Sequence, residues 1–203
     1  MKKRLAAFGI ALLMLGFTGC GNSSGQTTQE KSEETKTTEA GDSQPAPSGA
    51  QTLVVYFSAT GNTKGIAETI ASLTEADLYE IIPAQEYTDA DLNYSDSNSR
   101  TSIEQNDPDS RPEISGEPLT LDGYSTIYIG YPIWWGEEPK IMDTFVESYN
   151  FDNITMIPFC TSASSGVGNS ASNLAEHAGS GNWQPGQRFS AGASEEEIAN
   201  WLQ

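Results

Sequence analysis

Tyr56-Phe-Ser-Ala-Thr-Gly-Asn-Thr-Lys-Gly65 joins two unlike patterns with no spacer between them. Before the junction, Leu53-Val-Val-Tyr-Phe57 is a continuous apolar run, as in a strand buried on both faces. After it, Thr63 to Leu73 places Ile66, Ala67, Ile70 and Leu73 on one helical face. Ser58, Ala59, Thr60, Gly61 and Asn62 carry a hydroxyl, an amide or almost no side chain. Hydroxyls and free backbone amides at a helix N-terminus form an anion nest, and the helix dipole favours phosphate there. The turn holds no Lys or Arg and lacks the G-x-x-x-x-G-K-[ST] spacing, since Lys64 follows it out of register. A single terminal phosphate is therefore expected rather than a magnesium nucleotide. The plainer alternative is a well-capped strand–helix turn.

Outward from this junction, apolar runs alternate with amphipathic ones. Leu78–Ile82, Ile127–Gly130 and Ile154–Phe159 read as further buried strands, with Gln187–Ala191 a weaker fifth. Pro139–Tyr149 places Ile141, Met142, Phe145 and Val146 on one helical face. Val167–Ala178 reads as a third helix, and Ser194-Glu-Glu-Glu197 has capping-box spacing before Ile198, Trp201 and Leu202. Residues 84–118 have no decisive pattern. Their spacing allows a polar helix over Asp89–Gln105, capped by Asp89, with Pro108 and Pro112 marking a loop afterwards. Alternating strands and helices imply a parallel sheet with right-handed crossovers, and ligands on such sheets bind at the carboxyl ends of the strands.

That rule selects two more loops. Tyr131-Pro132-Ile133-Trp134-Trp135-Gly136-Glu137-Glu138-Pro139 sets two adjacent indoles just past a strand end, which suits a flat aromatic ligand. One of the two is expected to pack inward. In Thr161-Ser162-Ala163-Ser164-Ser165-Gly166-Val167-Gly168 the residues are small, so backbone amides can approach a ring edge.

Together these residues resemble a flavodoxin. Ser58-Ala-Thr-Gly-Asn-Thr63 matches the family's phosphate loop, [ST]-x-T-G-x-T, at every defined position. Gly130-Tyr-Pro-Ile-Trp-Trp135 is similar to the loop that covers one flavin face, and Thr161-Ser-Ala-Ser-Ser-Gly166 to the loop that borders the ring and its pyrimidine end. The resemblance spans residues 52–203. It implies a three-layer α/β fold: a five-stranded parallel sheet in order 2-1-3-4-5 with helices on both faces. It also implies non-covalent FMN held by residues 58–63, 132–136 and 161–166. The third loop lacks the aromatic residue that many flavodoxins stack on the second flavin face. That face is then open, or covered by the other Trp.

The first 20 residues read as a separate unit. Lys2-Lys3-Arg4 form a basic head, Leu5–Phe17 is almost wholly apolar, and Thr18-Gly19 precede Cys20. This is secretory-signal patterning, too short for a stable membrane span, and the Cys after the cleavage point resembles a bacterial lipobox, with Phe17 where Leu is usual. Residues 1–19 are thus expected to be a signal peptide and Cys20 a lipidated residue. Residues 20–50 contain no Val, Ile, Leu or aromatic residue and read as a disordered tether of about 30 Å end-to-end. One domain, 51–203, follows.

Cleavage removes three of the ten Lys and Arg and none of the 28 acids, leaving a formal charge of −21. Nucleic acid is excluded as a partner by sign, and an anionic membrane would repel the domain except through the lipid on Cys20. Cys160, in an apolar run, reads as a buried inert thiol. His177 is the chain's one His, on a polar helix beside Glu176, where a surface position is expected. With no clustered Cys, neither a metal site nor a catalytic residue is expected. Gly166-Val-Gly-Asn-Ser-Ala171 matches a dinucleotide fingerprint but follows the fourth strand, with no acid about 20 residues on. Ser190-Ala-Gly-Ala-Ser194 lacks the hydroxyl residue that a covalent flavin-attachment motif needs at position 191.

The expected function is electron transfer through bound FMN, in a monomer anchored outside the cytoplasmic membrane, to a redox protein or a small acceptor. Glu137 and Glu138 beside the indoles would disfavour negative charge on the reduced ring. Two alternatives stand beside it: an FMN-dependent NAD(P)H:quinone-type reductase, and a surface binding lipoprotein that has lost the flavin.

Overall fold

The computed structural model describes residues 51–203; the expected signal peptide, Cys20 and the tether lie outside the described residues. Five parallel pairings build the sheet. β1 (Thr52–Tyr56) lies between β2 (Asp77–Glu80) and β3 (Thr126–Pro132), and β4 (Thr155–Thr161) follows β3. The order is 2-1-3-4-5, as expected.

The far edge differs in detail. It is split into β5 (Asn182–Trp183), paired with Thr155–Met156, and β6 (Gln187–Phe189), paired with Phe159–Thr161. Two residues of β4, Ile157 and Pro158, thus face three, Gln184 to Gly186. Pro158 and Pro185 bring no amide donors to this stretch, so the edge ladder breaks there.

Alternation along β1 shows how the sheet divides the interior. Leu53, Val55 and Phe57 enter one core with Ile127, Ile129 and Tyr131. Ile141, Met142, Phe145 and Val146 of α3 (Lys140–Glu147) and Leu174 of α4 (Ser170–Ala178) cover that face. Val54 and Tyr56 enter the other core, covered by Ile66, Ala67 and Ile70 of α1 (Asn62–Thr74) and Ile198 of α5 (Glu195–Trp201). Period two in the strands and 3.6 in the helices thus produce three layers. Leu73 is the exception on the α1 face: it is exposed, and Ala71 is buried instead.

The polar helix is much shorter than expected. α2 spans only Arg100–Asn106, with Ser99 as its cap. Upstream, Asp91 accepts from the Thr88 amide and hydroxyl, Asn93 from the Ser95 amide, and Asp96 from the Asn98 amide. These short side chains capture local backbone donors and hold residues 88–98 in turns. Pro108 and Pro112 lie in the loop that follows. Among the described residues no helix is long and apolar enough to cross a membrane.

Candidate functional site

The turn after β1 ends in Gly61, which takes a left-handed conformation (φ 81°) at the N-cap of α1. Its carbonyl accepts from Gly65 N–H, and no side chain caps the helix. The backbone amides from Thr60 to Lys64 find no partner within the described residues, so the helix opens on a set of free donors. Asn62 Nδ2 donates to Thr60 Oγ1 (3.2 Å), leaving the Thr60 hydroxyl proton for another acceptor. Ser58 Oγ is buried without any partner. Thr63 behaves differently: it is buried, and its hydroxyl pairs with that of Thr161 at 2.7 Å. This bond ties the first loop to the third across 98 residues.

The second loop is a tight hairpin. Trp134 and Glu137 exchange both backbone hydrogen bonds (2.9 and 3.0 Å), around Trp135 (φ 50°) and Gly136 (φ 89°). Positive φ at both central positions is a type I′ turn, unusual in having Trp at the first of them. The indoles part company there. Trp134 packs inward, edge-on to Phe57 (5.5 Å) and Tyr87 (5.2 Å). Trp135 stays exposed, with one face stacked on Tyr94 at 4.1 Å and 21°. That spacing leaves no room for a further ring between them.

The third loop is held by Arg188 of β6. Its Nη2 donates to the carbonyls of Ser162 (2.5 Å) and Ala163 (2.8 Å), and its Nε to Ser162 Oγ (3.2 Å). Ser162 Oγ also donates to the Ser165 carbonyl, which closes the loop on itself. Replacing Arg188 by Met keeps the apolar stem and removes the three bonds. Each hydrogen bond from a charged group is worth about 1.5–3 kcal/mol. Amide exchange across residues 162–166 should therefore accelerate by at least roughly tenfold; unchanged exchange would show that the clamp is dispensable.

These loops enclose a cleft of about 330 Å³. Of the residues singled out in the sequence, Thr60, Asn62, Pro132, Ile133, Trp134, Thr161, Ser162 and Ala163 line it. Ser58 and Ala59 border a neighbouring cavity on the β2 side instead. Gly61 and Gly136 shape the two turns, and Ser164, Ser165 and Gly166 are exposed beyond the cleft. Leu92, Tyr94 and Ala191 complete the lining and were not expected. Tyr94 supplies the second aromatic wall, from the polar segment whose sequence carries no periodicity.

Two expectations about charge change. Glu137 is exposed, but Glu138 is fully buried and turned to Asn173 Nδ2 (3.3 Å), where burial pushes its carboxyl up to about 7. It does not stand beside the indoles as a free surface charge. His177 is only one-third exposed rather than a surface residue, with Nδ1 3.0 Å from Glu147 Oε1. Cys160 is buried, and burial raises its thiol to about 12, consistent with an inert role.

The flavodoxin family model matches residues 51–203. No functionally curated protein matches the chain. Among solved structures, a candidate flavoprotein from Bacteroides uniformis is 44% identical (TM-score 0.71), the match covering 74% of this chain and 96% of that one. Another from Bacteroides eggerthii is 42% identical (TM-score 0.69; 74% and 94% covered). A flavoprotein from Lactobacillus acidophilus, solved in complex with FMN, is 27% identical (TM-score 0.56; 75% and 98% covered). With its sheet order, its three loops and a match over the whole described domain, the chain belongs to the flavodoxin family.

Proposed function

We propose that the domain binds FMN non-covalently and passes electrons through it to a separate redox partner. The observation that carries this reading is the free amide nest at the start of α1, opening beside an aromatic cleft. Ser58 Oγ, buried and unpartnered within the same turn, fits a phosphate acceptor. The related Lactobacillus acidophilus flavoprotein in complex with FMN supports the choice of ligand. Ser58, Thr60, Asn62 and the amides of 60–64 would hold the phosphate. Pro132, Ile133, Trp134 and Tyr94 would wall the ring, and residues 161–163 would border its edge. The bound flavin supplies the redox chemistry, and the protein positions it and shields it from water.

The excess of 28 acids over ten Lys and Arg favours a positively charged partner and an association that weakens with salt. Reduced, FMN-loaded chain mixed anaerobically with basic ferricytochrome c should transfer electrons rapidly, and more slowly as salt rises. Sustained NAD(P)H oxidation without an added reductase would make the protein a reductase instead.

The same proposal places the domain outside the cytoplasmic membrane, on a lipid at Cys20. A diacylglycerol supplies the two chains that stable anchoring needs. Cys20→Ser should move the protein from the membrane fraction to the soluble one with FMN binding unchanged. Retention of the variant in the membrane would contradict the lipid anchor.

A further inference from the structure

Behind the Trp134–Glu137 hairpin, three elements converge on one point. Glu138 comes from the loop that leads into α3, Asp143 from α3 and His177 from the last turn of α4. One ligand atom from each lies within 4.8 Å of the others.

Two further features separate this cluster from an ordinary acidic patch. Glu138 and Asp143 are both fully buried, and each keeps one carboxylate oxygen, Oε1 and Oδ1, without any hydrogen-bond partner. A buried carboxylate oxygen left bare is costly unless something positive meets it. The imidazole is also already oriented. His177 Nδ1 lies 3.0 Å from Glu147 Oε1, and a proton on Nδ1 satisfies that contact. Nε2 then presents its lone pair towards Asp143, whose Oδ2 is 3.9 Å away. A histidine that donates one ring N–H to a carboxylate and offers the other nitrogen is the arrangement found around metal ions.

We propose that Glu138, Asp143 and His177 bind one divalent transition-metal ion, with Zn²⁺ the best fit. One nitrogen and two oxygens suit zinc, with water in the remaining position; magnesium and calcium prefer oxygen alone. Zinc–ligand bonds of about 2.0–2.2 Å set tetrahedral ligand atoms roughly 3.3 Å apart, so separations of up to 4.8 Å must close by up to about 1.5 Å on binding. Lys140 Nζ (3.3 Å) and Arg111 (3.9 Å) already approach Asp143 Oδ2, while Oδ1 remains bare. Arg111 also pairs with Glu147 Oε1 at 2.7 Å, so both cations are already committed to carboxylate oxygens other than the two bare ones. The competing occupant is a proton on His177 Nε2, which would make the cluster an ion-pair network only. Bound metal would join α3, α4 and the loop carrying both indoles. The inference does not rest on flavin binding.

The test uses the full chain, freed of metal by chelation, titrated with Zn²⁺ and followed by the ring ¹⁵N resonances. The chain has one His, so those signals belong to His177 alone. Zinc should bind with one tight site, Kd about 1 µM or below, and shift Nε2 far more than Nδ1. Asp143→Asn and His177→Gln should each weaken it by about a hundredfold or more, and Glu147→Gln by about ten- to a hundredfold. Mg²⁺ and Ca²⁺ should not compete. Circular dichroism identifies any variant that fails to fold, and the wild-type resonances decide the matter without variants. No tight site, an unshifted Nε2, equal competition by Mg²⁺, or folded variants with unchanged affinity would each overturn the proposal and leave an ion-pair network.

Discussion

A chain carrying Ser58→Ala and Thr60→Val should lose affinity for FMN by two to four orders of magnitude and for riboflavin scarcely at all. Each hydroxyl donating to a phosphate forms a charge-assisted hydrogen bond worth about 1.5–3 kcal/mol, so two removed together cost about 3–6 kcal/mol. Riboflavin has no phosphate and does not sense the change. The folded state should tolerate both substitutions. Ser58 Oγ has no protein partner to lose, and Thr60 Oγ1 accepts only from exposed Asn62. Thr63 is unsuitable for this test despite its place in the motif. Its hydroxyl is committed to Thr161, so Thr63→Val would disturb two loops at once. Isothermal titration with the two ligands separates the outcomes, and equal losses for both would place the phosphate elsewhere.

Gly130→Ala should lower the melting temperature by roughly 6–12 °C. A Cβ at Gly130 would lie 2.1 Å from Phe159 Cζ, with two more ring atoms within 2.7 Å. Phe159 is fully buried among Val54, Ile66, Phe189 and Trp201, so its ring has nowhere to retreat. Overpacking of this severity costs about 3 kcal/mol, and a domain of this size loses about 2–4 °C per kcal/mol. The cause is one contact, so a smaller partner should relieve it. Phe159→Leu alone opens a cavity and destabilises, yet in the Gly130→Ala background it should restore part of the loss. Additive losses in this double-mutant cycle would mean that the strain lies elsewhere.

The junction at residues 56–65 was legible because three independent signals agree there: a doubly buried strand, small polar turn residues and a helical apolar face. The inward turn of one Trp was legible too, because two adjacent indoles on opposite sides of a hairpin cannot share one environment. Other features left no trace in local pattern. Tyr94 sits in a segment where Asp, Asn and Ser side chains bond their own backbone, so no period points to its facing Trp135. The split of the edge strand falls where Pro158 and Pro185 lie in facing stretches, Ile157–Pro158 against Gln184–Gly186, which only the register shows. Glu137 and Glu138 look alike in sequence, yet the type I′ turn exposes one and buries the other. Arg188 reads as an ordinary strand residue until the third loop is seen folded over it.

The most direct test of the central claim is a titration of the flavin-free full chain with FMN, followed by flavin absorbance and emission. The account predicts one equivalent bound with Kd of about 1 µM or tighter. It also predicts a perturbed visible band and emission quenched by the aromatic walls of the cleft. An absorbance and emission spectrum identical to that of free FMN, at protein concentrations far above that Kd, would contradict it.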